Sequence, residues 1–136
     1  MIKGIGHVCY TVKNIEVSID FYTNKLGFKH AFDFRNEKGE RGGAYLKIGN
    51  EGRSFIELFQ AQEIKEVTAN TVGYQHLCIE VDDINQTKNE LNAKGIETTE
   101  PYFAMDNAWQ IWIEDPDGNR IEMHQYTDES WQTPFV

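Results

Sequence analysis

The chain has 136 residues, with 13 basic against 22 acidic side chains and a formal charge of −9. That length suits one domain, or two small modules packed as one, and excludes a third. The acidic excess excludes electrostatic wrapping of nucleic acid, which needs clustered Lys and Arg, and no apolar run reaches the roughly 18 residues of a membrane span.

The first element is a strand. Gly4 to Val12 has β-branched, alternating character, and Asn14 then caps a helix whose Ile15, Ile19, Tyr22 and Leu26 recur at helical spacing until Gly27 stops it. Phe28 to Phe34, Gly42 to Ile48 and Ser54 to Gln60 read as three further strands, divided by turns around Gly39 and Gly52. The polar stretch from Gln60 to Val72 reads as a linker.

The order then repeats. Tyr74 to Val81 reads as a strand, Asp83 as the cap of a helix carrying Ile84 and Leu91, and Gly95 as its stop. A weak strand is expected at Ile96 to Thr98, with Phe103 and Met105 in a rim loop, and a strong one from Ala108 to Glu114. Asp115-Pro116-Asp117-Gly118-Asn119 is hairpin chemistry, because Pro116 presets φ and Gly118 tolerates positive φ; a last strand from Arg120 to Gln125 follows, and 127–136 reads as a tail.

The repeat is written in particular residues. The offset that carries His7 onto His76 also carries Cys9 onto Cys78, Val12 onto Val81 and Ile15 onto Ile84, and each copy closes with Ile-Glu, at Ile56-Glu57 and Ile121-Glu122. One duplication gives an α+β chain of two tandem βαβββ modules, about residues 4–60 and 73–126, rather than a short-period solenoid. Cys9 and Cys78 sit inside strand patterns and read as reduced, buried thiols.

Side chains two apart on a strand share a face, so His7 projects with Cys9 and Thr11, His76 with Cys78 and Glu80, and Glu122 with His124. Two imidazoles and two carboxylates, His7, Glu57, His76 and Glu122, offer nitrogen and oxygen donors to one divalent ion of intermediate softness. Four ligands in an octahedral shell leave two positions for substrate or water. His124 has two readings, a donor to substrate or to a ligand, or a solvated rim histidine; His30 reads as structural or exposed. Phe59 flanks Glu57, while Trp109 and Trp112 point to opposite faces, so one of the two central tryptophans is expected beside the ligands.

Ser18-Ile19-Asp20-Phe21-Tyr22 with Leu26-Gly27-Phe28, and Asp115 through Glu122, carry a family likeness. Through them the whole chain resembles the vicinal oxygen chelate superfamily, which includes glyoxalase I, extradiol dioxygenases, methylmalonyl-CoA epimerase and the fosfomycin- and bleomycin-resistance proteins. The resemblance implies paired modules forming a metal-holding cup, usually in a homodimer, and an enzyme acting on a small molecule; the lack of an apolar span and of a signal-like N-terminus reads as cytoplasmic. The glyoxalase I ligand set falls on His7, Glu57, His76 and Glu122. It implies a divalent cofactor, Ni, Zn or Co foremost with Fe or Mn as alternatives, and a lyase or isomerase that moves a proton through an ene-diolate on a hemithioacetal or similar adduct.

In that reading Glu122 is the base, Glu57 its symmetric counterpart, and Thr11, Phe59, Trp109 and His124 line the substrate. The Arg and Asn with which bacterial glyoxalases grasp glutathione are replaced by Thr11 and Ala61, which leaves the low-molecular-weight thiol open. The alternatives are another enzyme of the superfamily, an epimerase or extradiol dioxygenase, or a drug-binding protein without catalysis.

Overall fold

The first strand, β1 (His7–Val12), already separates two environments: Tyr10 and Val12 are buried, whereas His7, Cys9 and Thr11 are exposed. This is the period-2 alternation of a half-covered sheet. The computed structural model describes residues 5–52, 54–64 and 74–135. They fall into two compact units, Met1–Thr68 and Ala69–Val136. Most of the expected linker lies outside the described residues.

In the first unit β1 is followed by α1 (Ile15–Asp20), which runs on as a wider π turn over Phe21–Lys25, then by β2 (Lys29–Arg35), β3 (Arg41–Lys47) and β4 (Phe55–Gln60). The Asn14 side chain accepts from the Glu16 and Val17 amides, which starts the helix. Gly27, at φ 79°, ends it. Widening begins where the Thr23 hydroxyl bonds back to the Ile19 carbonyl at 2.7 Å. The sheet order is β1-β4-β3-β2, with β1 and β4 parallel and the other pairs antiparallel. Ile15, Phe21 and Tyr22 from the helix meet Val12, Leu46, Ile56 and Leu58 from the sheet as a core; burying such a side chain fully contributes about 1.5–3 kcal/mol.

The second unit repeats this plan with β5 (His76–Glu80), α2 (Ile84–Ala93), β6 (Tyr102–Phe103), β7 (Trp109–Glu114) and β8 (Arg120–Gln125), in the order β5-β8-β7-β6. Even the polar fastenings are duplicated. Gln60 Oε1 accepts from the Ile15 amide at 3.0 Å, and Gln125 Oε1 from the Ile84 amide at 2.8 Å. The two βαβββ modules of the sequence reading are thus present.

The edge strand of the second unit departs from expectation. Ile96 to Thr98 is not a strand, and the pairing falls on Tyr102–Phe103, which takes Phe103 out of the expected loop. Here the Thr99 amide donates to the Trp112 carbonyl, while the Trp112 amide is taken by the Thr99 hydroxyl instead of a backbone oxygen. Pro101 then has no N–H to donate and restricts Glu100, so a regular ladder cannot resume until Tyr102.

The C-terminal stretch is also more than a tail. The Thr127 and Ser130 hydroxyls donate to the Asn107 carbonyl at 2.7 and 2.8 Å, and the Trp131 amide donates to the Asp106 carbonyl at 3.0 Å. Among the described residues no helix is long and apolar enough to cross a membrane.

Candidate metal centre

In the first unit the parallel register of β1 with β4 sets Cys9 opposite Glu57, and the antiparallel register of β3 with β4 sets Tyr45 on its other side. His7 Nε2 lies 3.5 Å from Glu57 Oε2. Its other nitrogen, Nδ1, is 2.6 Å from the Tyr45 hydroxyl. The tautomer that donates from Nδ1 to the Tyr45 oxygen leaves the Nε2 lone pair directed toward the carboxylate, the arrangement in which an outer hydrogen bond orients a metal-binding imidazole.

The same face carries an aromatic cluster. Phe32 stacks on Tyr45 at 4.8 Å, Phe34 stacks on Phe59 at 5.5 Å, and Tyr45 lies against Phe55 at 5.6 Å. Phe32, Phe34 and Phe59 remain exposed.

In the second unit Cys78 and Trp112 flank Glu122 in register. His76 Nε2 lies 3.2 Å from Glu122 Oε2, and His124 Nδ1 lies 3.0 Å from Glu122 Oε1, so each carboxylate oxygen meets an imidazole. Glu122 and His124 are 7% and 4% exposed. Trp112 sets its ring against His76 at 4.9 Å and donates from Nε1 to the Tyr102 hydroxyl, which donates to Gln110 Oε1. Behind His124, Asp106 Oδ2 is 3.8 Å from Nε2 and accepts from Gln132 Nε2 at 2.8 Å.

These pairs fit a divalent cation. Bonds of about 2.0–2.2 Å put neighbouring octahedral ligand atoms about 3 Å apart, close to the separations within both His–Glu pairs. Both thiols sit beside the carboxylates. Partial desolvation, followed by the Glu122, Asp106 and Glu80 carboxylates, pushes the Cys78 thiol up to about 12. Desolvation, then Glu57, also raises Cys9 above its ordinary value. Neither is an activated thiolate at neutral pH.

Of the sequence-derived site residues, His7 and Glu57 come together in one unit with Thr11 and Phe59 on their face, and His76, Glu122 and His124 come together in the other. Trp109 does not join them. It pairs with Gln125 on the face of Ile111 and Ile113, packing on Phe103, and Trp112 is the tryptophan beside His76 and Glu122. His124 is buried and bonded, not a solvated rim residue. His30 bonds Asp33 at 2.7 Å, a structural role. Cys9 and Cys78 are free and, as residues, exposed rather than buried, because they alternate onto the sheet face opposite each helix.

Four groups escaped the sequence reading: Tyr45, the Phe32 and Phe34 pair, Asp106 and Gln132. Phe32-x-Phe34 and Tyr45-x-Lys47 show the alternation that places them on one face, but only the β2–β3–β4 register joins that face to Glu57.

A sequence profile of the Glyoxalase/Bleomycin resistance protein/Dioxygenase superfamily matches residues 4–123. The chain belongs to that superfamily. It is 32% identical over 124 residues to a Vibrio cholerae protein named "Probable lactoylglutathione lyase", covering 89% of each chain. It is 33% identical over 100 residues to the Bacillus subtilis "Uncharacterized protein YwkD", covering 72% of this chain and 77% of the other. Among solved structures, the glyoxalase family protein from Enterococcus faecalis superposes with a TM-score of 0.77 at 28% identity, covering 90% of this chain and 97% of that one.

Proposed function

We propose that His7, Glu57, His76 and Glu122 together hold one divalent cation, within a chain or across a homodimer, and that the protein is a lyase or isomerase of the glyoxalase I type. The observation that carries this reading is the duplicated pair, His7 Nε2 with Glu57 Oε2 at 3.5 Å and His76 Nε2 with Glu122 Oε2 at 3.2 Å. Relatives named lactoylglutathione lyase, such as the one from Vibrio cholerae, support the reaction class. When bound, the cation supplies Lewis acidity toward two neighbouring oxygens of a hemithioacetal or similar adduct.

The protein's own part is proton transfer and orientation. Glu122 removes the proton from the carbon next to the carbonyl and returns it to the neighbouring carbon. His124, bonded to Oε1, fixes the carboxylate while it does so. Phe59 stands beside Glu57 where His124 stands beside Glu122, so among the described residues only Glu122 has this second imidazole, and the two carboxylates divide into base and ligand. Phe59, Phe34 and Thr11 give the substrate an apolar wall with one hydroxyl, and Thr11 and Ala61 offer no cationic or amide anchor for glutathione.

The test is methylglyoxal with a panel of low-molecular-weight thiols on Ni-, Co- or Zn-loaded protein. Thioester formation with at least one thiol is expected; silence with every thiol removes the reading. The aromatic cluster beside His7 favours one second reading, ring-cleaving dioxygenation of a catechol, which oxygen uptake by iron-loaded protein would reveal.

A further inference from the structure

We propose that the second unit also holds a thiophilic divalent cation, such as Zn2+, by itself, through Cys78, Glu122 and His124. One ligand atom from each of these residues lies within 4.8 Å of the other two. Cys78 stands opposite Glu122 in the β5–β8 register, and His124 Nδ1 is 3.0 Å from Glu122 Oε1. Bonds of about 2.0–2.3 Å from zinc to nitrogen, oxygen and sulfur would draw the three together with small side-chain rotations. Binding releases the Cys78 proton to solvent, and thiolate with imidazole is the donor combination that selects zinc over harder ions. His76 Nε2, 3.2 Å from the other Glu122 oxygen, is in the same unit to complete a fourth position.

The buried histidine gives an independent reason. Its ring lies between two carboxylates, Glu122 on the Nδ1 side and Asp106 on the Nε2 side at 3.8 Å, and Nε2 and Asp106 Oδ1 are both buried with no hydrogen-bond partner among the described residues. A metal ion at Nδ1 puts the ring proton on Nε2, where it can turn toward Asp106 and give both orphaned atoms a partner, while the Nδ1 lone pair, Glu122 and the Cys78 sulfur share the cation. This is the carboxylate–histidine–metal chain common around bound zinc.

The site goes beyond the shared centre and needs nothing from the first unit. Because Glu122 serves both, a thiophilic ion here withdraws the proposed base from catalysis. The experiment is Co2+ titration of full-length protein carrying His7→Ala and Glu57→Ala, which disable the shared centre. A near-ultraviolet sulfur-to-cobalt charge-transfer band is expected, kept when Cys9→Ser is added and lost when Cys78→Ser is added. Absence of the band, or its survival in Cys78→Ser, overturns the proposal. Neither result bears on thioester formation by the wild-type protein, so the two readings fail separately.

Discussion

The Tyr45 hydroxyl lies 2.6 Å from His7 Nδ1 while His7 Nε2 lies 3.5 Å from Glu57 Oε2, so the phenol and the carboxylate address different nitrogens of one imidazole. Tyr45→Phe keeps the ring that stacks on Phe32 and removes only the oxygen. Losing such an outer hydrogen bond typically weakens metal affinity about 10–100-fold. Competition with a chelator for Ni2+ should show at least the lower figure with little change in thermal stability; unchanged affinity would remove Tyr45 from the account.

Gly43 faces Phe59 across the β3–β4 ladder, and a methyl group there would stand 2.8 Å from the Phe59 ring and 3.0 Å from the Leu58 carbonyl. The ring can yield only by leaving its stack on Phe34. Gly43→Ala should therefore cost about 1–3 kcal/mol, read by urea unfolding. Phe59→Ala in the same chain should recover part of that loss; strict additivity would show that the two positions do not interact.

Asp33 carries the main acid sensitivity of the first sheet. Burial pushes its carboxyl up, but hydrogen bonds from His30, Arg41 and Arg35 outweigh this and bring it from 3.8 down to about 2. For a depressed carboxyl the stabilisation is complete above its unfolded value and is lost as pH falls through the folded one. Unfolding midpoints should therefore drop between about pH 4 and pH 2. Asp33→Asn should be less stable near neutrality and flatter across that window; an unchanged slope would contradict the assignment.

Asn107 has φ 61°, donates from Nδ2 to the Glu129 carbonyl at 3.1 Å, and follows Asp106, the carboxylate behind His124. A left-handed backbone costs an L-residue with Cβ about 1–2 kcal/mol, and Gly avoids most of that. Melting temperatures should rank wild type, then Asn107→Gly, then Asn107→Ala. Ala equal to Gly would mean that backbone strain is not what Asn107 manages.

What could be read from the chain beforehand followed short-range rules. The strand alternation around His7 and His76, the caps at Asn14 and Asp83, and the turn in which Asp115 Oδ1 accepts from the Asp117 and Asn119 amides each depend on neighbours a few residues away. The misses depend on register or on distant backbone. Trp112 rather than Trp109 shares the Glu122 face because of the β7–β8 pairing, which a tryptophan pair at opposite parity leaves open. The β6 shift required the Thr99 hydroxyl to replace a ladder acceptor. Docking of the C-terminal stretch rests on Thr127 and Ser130 reaching a carbonyl 20 and 23 residues away, which polar composition alone does not announce.

The central claim is that the Glu122 carboxylate is the base of a metal-assisted isomerisation. The most direct measurement is turnover of Glu122→Gln, which keeps the size and one oxygen donor, alongside its metal content after identical loading. Retained metal with thioester formation reduced by about a thousandfold or more, a loss of at least about 4 kcal/mol of transition-state stabilisation, is the expected result. A Glu122→Gln protein that holds its metal and turns over at the wild-type rate would contradict it.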